Sequence, residues 1–293
     1  MLSIVIPSRN ERFLDHTIKD VLKKATGNIE VFAVLDGYDT EEIKDDRLQY
    51  IRLPETKEPK KRHGINLSLS KAKGTHFMAL DAHCMMAHGF DEILTRDCED
   101  NMIMIPRRNR LDAEHWCIQK QSDNRPPIDY EYVMFPVQKD FKFPSFHGFK
   151  WDARTKKRWS IPIDDTMTMQ ASCWCMTADH YRRNNFMQVE GFGGWGQEAE
   201  ELCFTTWLRG GRVVTNKRTW YAHLHKGAKY GRMYHLDRNL TRASYKFSFD
   251  FFFNNHLPSR KYDFTDLIER FMPIPGWTRD WEQRIRAHPW IHS

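Results

Sequence analysis

Asp81 and His83 stand two residues apart at the end of the apolar run Phe77-Met78-Ala79-Leu80. In extended backbone such residues point to the same side. A carboxylate and an imidazole therefore converge at a strand's exit, where open α/β sheets hold their ligands. The pair is a borderline-hard donor set, suited to a divalent ion that also meets phosphate oxygens. Two more groups offer side chains of the same kinds: the acids Glu198, Glu200 and Glu201, and the alternating histidines His223 and His225. Each group alone has an ordinary structural reading. A histidine near an aromatic strand is commonly a satisfied core residue, and acids in a helix's first turn complement its dipole.

The elements that must position these residues follow from hydrophobic pattern. Ser3 to Pro7 reads as a buried strand, followed by the loop Ser8 to Glu11 and a helix with Leu14, Ile18, Val21 and Leu22 at helical spacing. Ile29 to Leu35 is a second strand ending at Asp36-Gly37, and Tyr50 to Leu53 a third. A basic loop, Glu55 to Arg62, leads to a helix over Gly64 to Lys73, closed by Gly74 before the strand Phe77 to Leu80. Strand–helix alternation with short loops predicts an open, mainly parallel, twisted sheet flanked by helices. Acids sit at its strand ends: Glu11, Asp36 and Asp81. For Asp36 a turn role and a ligand role weigh equally, since Asp-Gly is a common turn pair.

No Gly-X-Gly-X-X-Gly follows the first strand and no Gly-Lys-Ser/Thr phosphate loop occurs, which argues against a dinucleotide oxidoreductase or a phosphate-loop ATPase. Past a strand at Ile103 to Pro106 the pattern loosens, and Arg107 to Trp159 reads as an irregular binding loop or lid, rich in aromatic and basic residues. Met167 to Thr177 returns to the sheet, Glu198 to Leu208 is helical, Arg212 to Thr215 is a strand, and Trp220 to Lys226 closes the core.

The 293 residues carry a net charge of +6, a mild bias that fits an anionic substrate or nucleic acid without singling out either. No apolar run approaches the roughly 18 residues of a membrane span, and the first strand begins where a signal peptide would lie, so the expected location is cytoplasmic. The six cysteines form no Cys-X-X-Cys pair and are expected as free thiols.

In order and spacing these motifs resemble glycosyltransferases of the GT-A fold, and among them the polypeptide N-acetylgalactosaminyltransferases. Arg62-His63-Gly64 followed by Leu80-Asp81-Ala82-His83-Cys84 resembles that family's Arg-X-Gly and Leu-Asp-X-His-Cys motifs. Phe149-Lys150-Trp151 resembles its Phe-Lys-Trp run, and Trp195 to Phe204 matches its Trp-Gly-Gly-Glu-Asn-X-Glu-Leu-X-Phe block in register. Ala222-His223-Leu224 resembles its later Gly-His-Val. The resemblance spans Ser3 to about Lys226.

It implies a UDP-sugar donor, transfer of a hexosyl group to a hydroxyl, and a divalent metal, Mn2+ before Mg2+. Asp81, His83 and His223 would hold the ion. Pro7, Arg9, Glu11, Asp36, Arg62, Asp81 and Trp195 would line the nucleotide-sugar site, with Asp36 on the uracil and Arg62 on the nucleotide or pyrophosphate. Beyond the span of the resemblance, Lys229 and Arg232 are candidates to reach the diphosphate from a closing lid. Glu198 and Glu200 would be the catalytic acids. Inverting relatives commonly place a base directly after the glutamate, and Ala199 stands there. Retention of configuration is thus implied, with Glu198 or Glu200 left open as a base. The family's membrane anchor and lectin domain have no counterpart in these residues, so its peptide acceptor is not carried over.

The expected organisation is a catalytic domain over 1–226, split into a nucleotide-binding half (1–98) and an acceptor half (99–226), and a basic, aromatic extension over 227–293. That extension reads either as helices packing phenylalanines on the catalytic domain or as a nucleic-acid surface, where rings stack on bases and cations meet phosphates. The acceptor stays open between a glycan, a protein and hydroxymethylated bases in DNA, the last requiring an extruded base. The alternatives to an enzyme of this kind are a catalytically silent sugar-nucleotide or nucleic-acid binding protein, or a metal-dependent nucleotidyltransferase.

Overall fold

The computed structural model describes residues 1–119, 126–138 and 143–292. The chain opens with the expected alternation: β1 (Leu2–Ser8), α1 (Leu14–Lys24), β2 (Ile29–Asp36), β3 (Leu48–Leu53), α2 (Lys61–Lys71) and β4 (His76–Leu80). Every residue of β2 is buried, which is why its sequence reads as a continuous apolar run rather than an alternation. After β5 (Cys84–Met86) and α3 (Phe90–Asp97) come β6 (Met102–Asp112), β7 (Cys117–Ile118), β8 (Glu131–Val133), β9 (Gly148–Lys150), α4 (Asp152–Lys157) and β10 (Ile163–Asp165). The remainder is β11 (Cys173–Thr177), α5 (Ala178–Asn184), α6 (Glu198–Leu208), β12 (Arg212–His223), α7 (Gly227–Tyr230), α8 (Arg238–Phe253), α9 (Phe264–Phe271) and α10 (Trp281–Arg286).

Ten strands form one mixed sheet in the order β10-β12-β6-β11-β4-β1-β2-β3, with β5 added to β12 and β7 to β6. The run from β4 through β1 and β2 to β3 is parallel, and so is the β6–β12 pair. The reversed strand β11 lies between β4 and β6. Helices cover both faces, and α2 packs close on β2. A Cβ at Gly64 would lie 2.6 Å from Val34 Cγ1, so the glycine of Arg62-His63-Gly64 is a packing requirement.

Three expectations change. The helix predicted from Gly64 starts at Lys61. The strand predicted to stop at Pro106 continues to Asp112 because its second half pairs with Trp220 to His223 of β12. The irregular stretch Arg107 to Trp159 therefore holds β7, β8, β9 and α4, while its residues 120–125 and 139–142 lie outside the described residues.

The C-terminal phenylalanines are core. Phe249 and Phe252 are fully buried. Their rings lie 5.1 Å from Phe146 and 5.2 Å from Phe204 of α6, respectively. Phe264, Trp277 and Trp281 join the same continuous core as the sheet. Each buried ring of this kind contributes on the order of 2–3 kcal/mol, enough to fix the extension to α6. No described helix is long and apolar enough to cross a membrane.

Candidate active site

The site gathers at the exits of β1, β2 and β4. Asp81 follows β4 and is fixed by its amide, which donates to Ser172 O at 2.8 Å. β5 then pairs antiparallel with β12, which sets His223 opposite Cys84. The pairing of β12 with β6 shifts register between Asn216 and Trp220, and a shift of this kind re-aims the strand beyond it. Leu224 N closes the junction on His83 O at 3.1 Å. His223 Nε2 consequently lies 3.1 Å from His83 Nε2 and 3.5 Å from Asp81 Oδ2.

The donor atoms of Asp81, His83 and His223 all fall within 4.8 Å of one another. One carboxylate and two imidazoles suit a borderline divalent ion such as Mn2+. Burial pushes the His223 imidazole down to about 3, so it stays neutral with a lone pair to give. For Asp81, burial pulls upward, yet Lys61 and the two imidazoles outweigh it and hold the carboxyl well below the usual range. Behind the triad, Glu11 Oε2 lies 3.1 Å from His83 Nδ1 and also takes the Lys226 ammonium. A carboxylate behind a histidine fixes ring orientation and raises ligand basicity. These residues fit a divalent ion.

The cavity in front measures about 380 Å³. Pro7, Arg9, Glu11, Asp36, Asp81, His83, Trp195, Glu198, His223 and Arg232 line it, so the strand ends and the Trp195 turn do meet. Asp36 is 4% exposed; its Oδ2 accepts from Arg9 Nη1 at 3.1 Å and Lys60 N at 2.8 Å. Its Oδ1 is buried with no hydrogen-bond partner among the described residues. The Arg232 guanidinium lies 5.1 Å from the Trp195 ring centre. His225 also lines the cavity but falls past the end of β12 and outside the triad.

Three expected residues lie elsewhere. Arg62 is fully buried, ion-paired to Glu201 and donating to Gly196 O at 2.7 Å, so it ties α2 to α6 and does not reach the cavity. Lys229 is exposed and paired to Glu114 on the outer surface. Glu200 does not line this cavity but an adjoining groove, which shares Gln170, Ala171, Trp195 and Glu198 with it. Burial, with Glu198 adding to it, pushes the Glu200 carboxyl up to about 8.

The residue that sequence reading missed is Lys61. Its Nζ donates to Asp81 Oδ1 at 3.1 Å inside the cavity. Burial works against its charge, but Asp81 and Glu198 more than compensate and raise its pKa. The basic run ending in Lys60-Lys61-Arg62 was the signal; which of the three faces inward depends on where the helix begins.

Residues 3–153 match glycosyl transferase family 2. No curated protein matches the sequence. Among solved structures, GalNAc-T7 with UDP, GalNAc and Mn2+ superposes with a TM-score of 0.66 at 14% identity, over 98% of this chain and 54% of that one. The chain thus spans about half of that protein's length. S. aureus TarS 1-349 in complex with UDP-GlcNAc gives a TM-score of 0.56 at 10% identity, over 91% of this chain and 69% of that one. At such identities the likeness is one of fold, and it is the GT-A architecture.

Proposed function

The chain belongs to glycosyl transferase family 2, and on that premise we propose that it moves a hexosyl group from a UDP-sugar to an acceptor hydroxyl, using Mn2+ or a similar divalent ion. The observation that carries this reading is the juxtaposition of Asp81, His83 and His223 with a cavity of about 380 Å³ walled by Asp36. The unpaired Asp36 Oδ1 suits the imide N–H of uracil, which is a donor where cytosine has an acceptor. Asp81, His83 and His223 would hold the ion, which when bound offsets the negative charge gained by the departing diphosphate. Lys61 and Arg232 add fixed positive charge on the same side.

In this reading the acceptor oxygen attacks the anomeric carbon of the sugar. The bond from that carbon to the β-phosphate oxygen breaks, and its electron pair leaves with UDP. Glu198, at the border of cavity and groove, orients the reacting hydroxyls. Glu200 takes the acceptor proton. The resemblance implies retention through the missing base at Ala199; the Glu200 carboxyl one residue on, in the adjoining groove, supplies one and favours a single inverting displacement. We read 1–226 as the catalytic domain and 227–293 as the helical extension that completes its core.

The test is UDP release from UDP-glucose, UDP-N-acetylglucosamine and UDP-N-acetylgalactosamine, with Mn2+ and with EDTA. Turnover of one donor is expected, abolished by EDTA and by Asp81→Asn or His83→Ala in protein with an unchanged circular dichroism spectrum. Full activity in EDTA, or in either variant, would sink the mechanism. Product anomer analysis by NMR decides inversion.

A further inference from the structure

The groove beside the donor cavity measures about 340 Å³. Its floor is the start of α6, and its walls include Glu131, His147 and Tyr245. The Tyr245 ring stacks on His147 with centres 4.7 Å apart and planes at 26°. Gln197, 5% exposed and in the left-handed region at φ 55°, donates through Nε2 to Phe146 O at 3.3 Å. Its Oε1 is buried and has no hydrogen-bond partner among the described residues. An amide oxygen left so is costly unless a ligand supplies a donor.

The charge of the groove is restricted as well. Among the described residues no lysine or arginine lines it. Glu131 is already occupied by Arg108 Nη2 at 2.7 Å, and Glu200, with its raised affinity for a proton, is largely neutral at pH 7. Among the described residues a phosphate-bearing ligand would meet carboxyl groups and no cation. A sugar ring meets what it needs: its C–H face packs on an aromatic ring, and its hydroxyls both donate to and accept from carboxyl and amide groups.

We propose that this groove is the acceptor subsite and that it takes an uncharged pyranose of a glycan, held by Tyr245 and Gln197 with its hydroxyl directed at Glu198 and Glu200. The proposal rests on the glycosyltransferase reading and narrows its acceptor from nucleic acid, protein or glycan to glycan. It also separates the basic surface of α8 from the acceptor, since Tyr245 is the residue of that helix that lines the groove.

Saturation-transfer NMR on the full chain with Mn2+ and UDP tests it, using lactose, maltotriose and chitotriose against a single-stranded and a duplex DNA oligonucleotide. At least one saccharide is expected to bind. Tyr245→Ala, and separately Gln197→Asn, which tolerates the same backbone conformation, should each weaken that binding at least tenfold. UDP binding by calorimetry reports the donor side and the integrity of each variant. Binding of DNA but of no saccharide, or saccharide binding that survives both substitutions, overturns the subsite while leaving the donor reading intact. Failure of the native chain to bind UDP overturns both.

Discussion

Lys61 Nζ lies 3.1 Å from Asp81 Oδ1, so a lysine ammonium and the candidate metal site draw on one carboxylate. The ammonium is held in place before any donor arrives, and a fixed charge needs no reorganisation as the diphosphate departs. Lys61→Met is expected to lower kcat/KM for sugar transfer about 100-fold, with Lys61→Arg recovering part of the loss. Steady-state kinetics at saturating Mn2+ measures this. Wild-type rates in Lys61→Met would remove the residue from the mechanism.

Arg62, one position along α2, predicts the opposite phenotype. Its removal leaves Glu201 buried without its ion partner, a loss of about 3–5 kcal/mol for pairs of this kind. Arg62→Met should lower the melting temperature by roughly 10 °C, while the folded fraction at low temperature keeps its UDP affinity. A raised KM with an unchanged melting temperature would return Arg62 to the nucleotide.

Glu200 sets a pH dependence in two observables. Its folded pKa of about 8 lies above the ordinary 4.5, so the unfolded chain ionises this group first as pH rises. The stability it contributes is full below 4.5, is lost between there and about pH 8, and stays lost above. Glu200→Gln, which cannot titrate, should therefore gain melting temperature relative to wild type as pH goes from 5 to 8. As a base Glu200 must be ionised, so wild-type kcat/KM should rise with pH towards about 8, and the variant should be slow and flat. An unaltered pH–rate profile in the variant excludes the proton-acceptor role.

Asp36 predicts base selectivity. Wild type should prefer UDP to CDP, because cytosine presents a lone pair to the unpaired carboxylate oxygen where uracil presents an N–H. Asp36→Ala should weaken UDP binding about tenfold and narrow that preference, read by calorimetry on both nucleotides. A UDP-to-CDP ratio unchanged by the substitution would place the base elsewhere.

The donor side was legible because its ligands sit where strands end, and strand ends are marked by the close of an apolar run. Leu80-Asp81-Ala82-His83 comes to the cavity that way, while Trp195 and Glu198 reach it from the turn that opens α6. Helix facing was harder. Consecutive helix residues differ by about 100°, so starting α2 at Lys61 rather than Gly64 decides that Lys61 faces Asp81 and Arg62 faces Glu201. β5 was invisible, since three residues carry no period and the strand exists through its pairing with β12. Lys229 and Arg232 could not be told apart, because local charge does not reveal whether a side chain meets Glu114 outside or Trp195 inside.

The β5–β12 pairing carries a consequence for how the molecule acquires its chemistry. His83 and His223 are 140 residues apart in the chain and meet through that short pairing. Contacts of such separation must overcome a large loop-closure entropy before they return any stabilisation. The first half of the chain can form its parallel strands from nearer neighbours, but it holds two of the three candidate ligands and neither Glu198 nor Glu200. During refolding, tight Mn2+ binding should therefore appear late, after most secondary structure has formed, and so report the closing of the sheet.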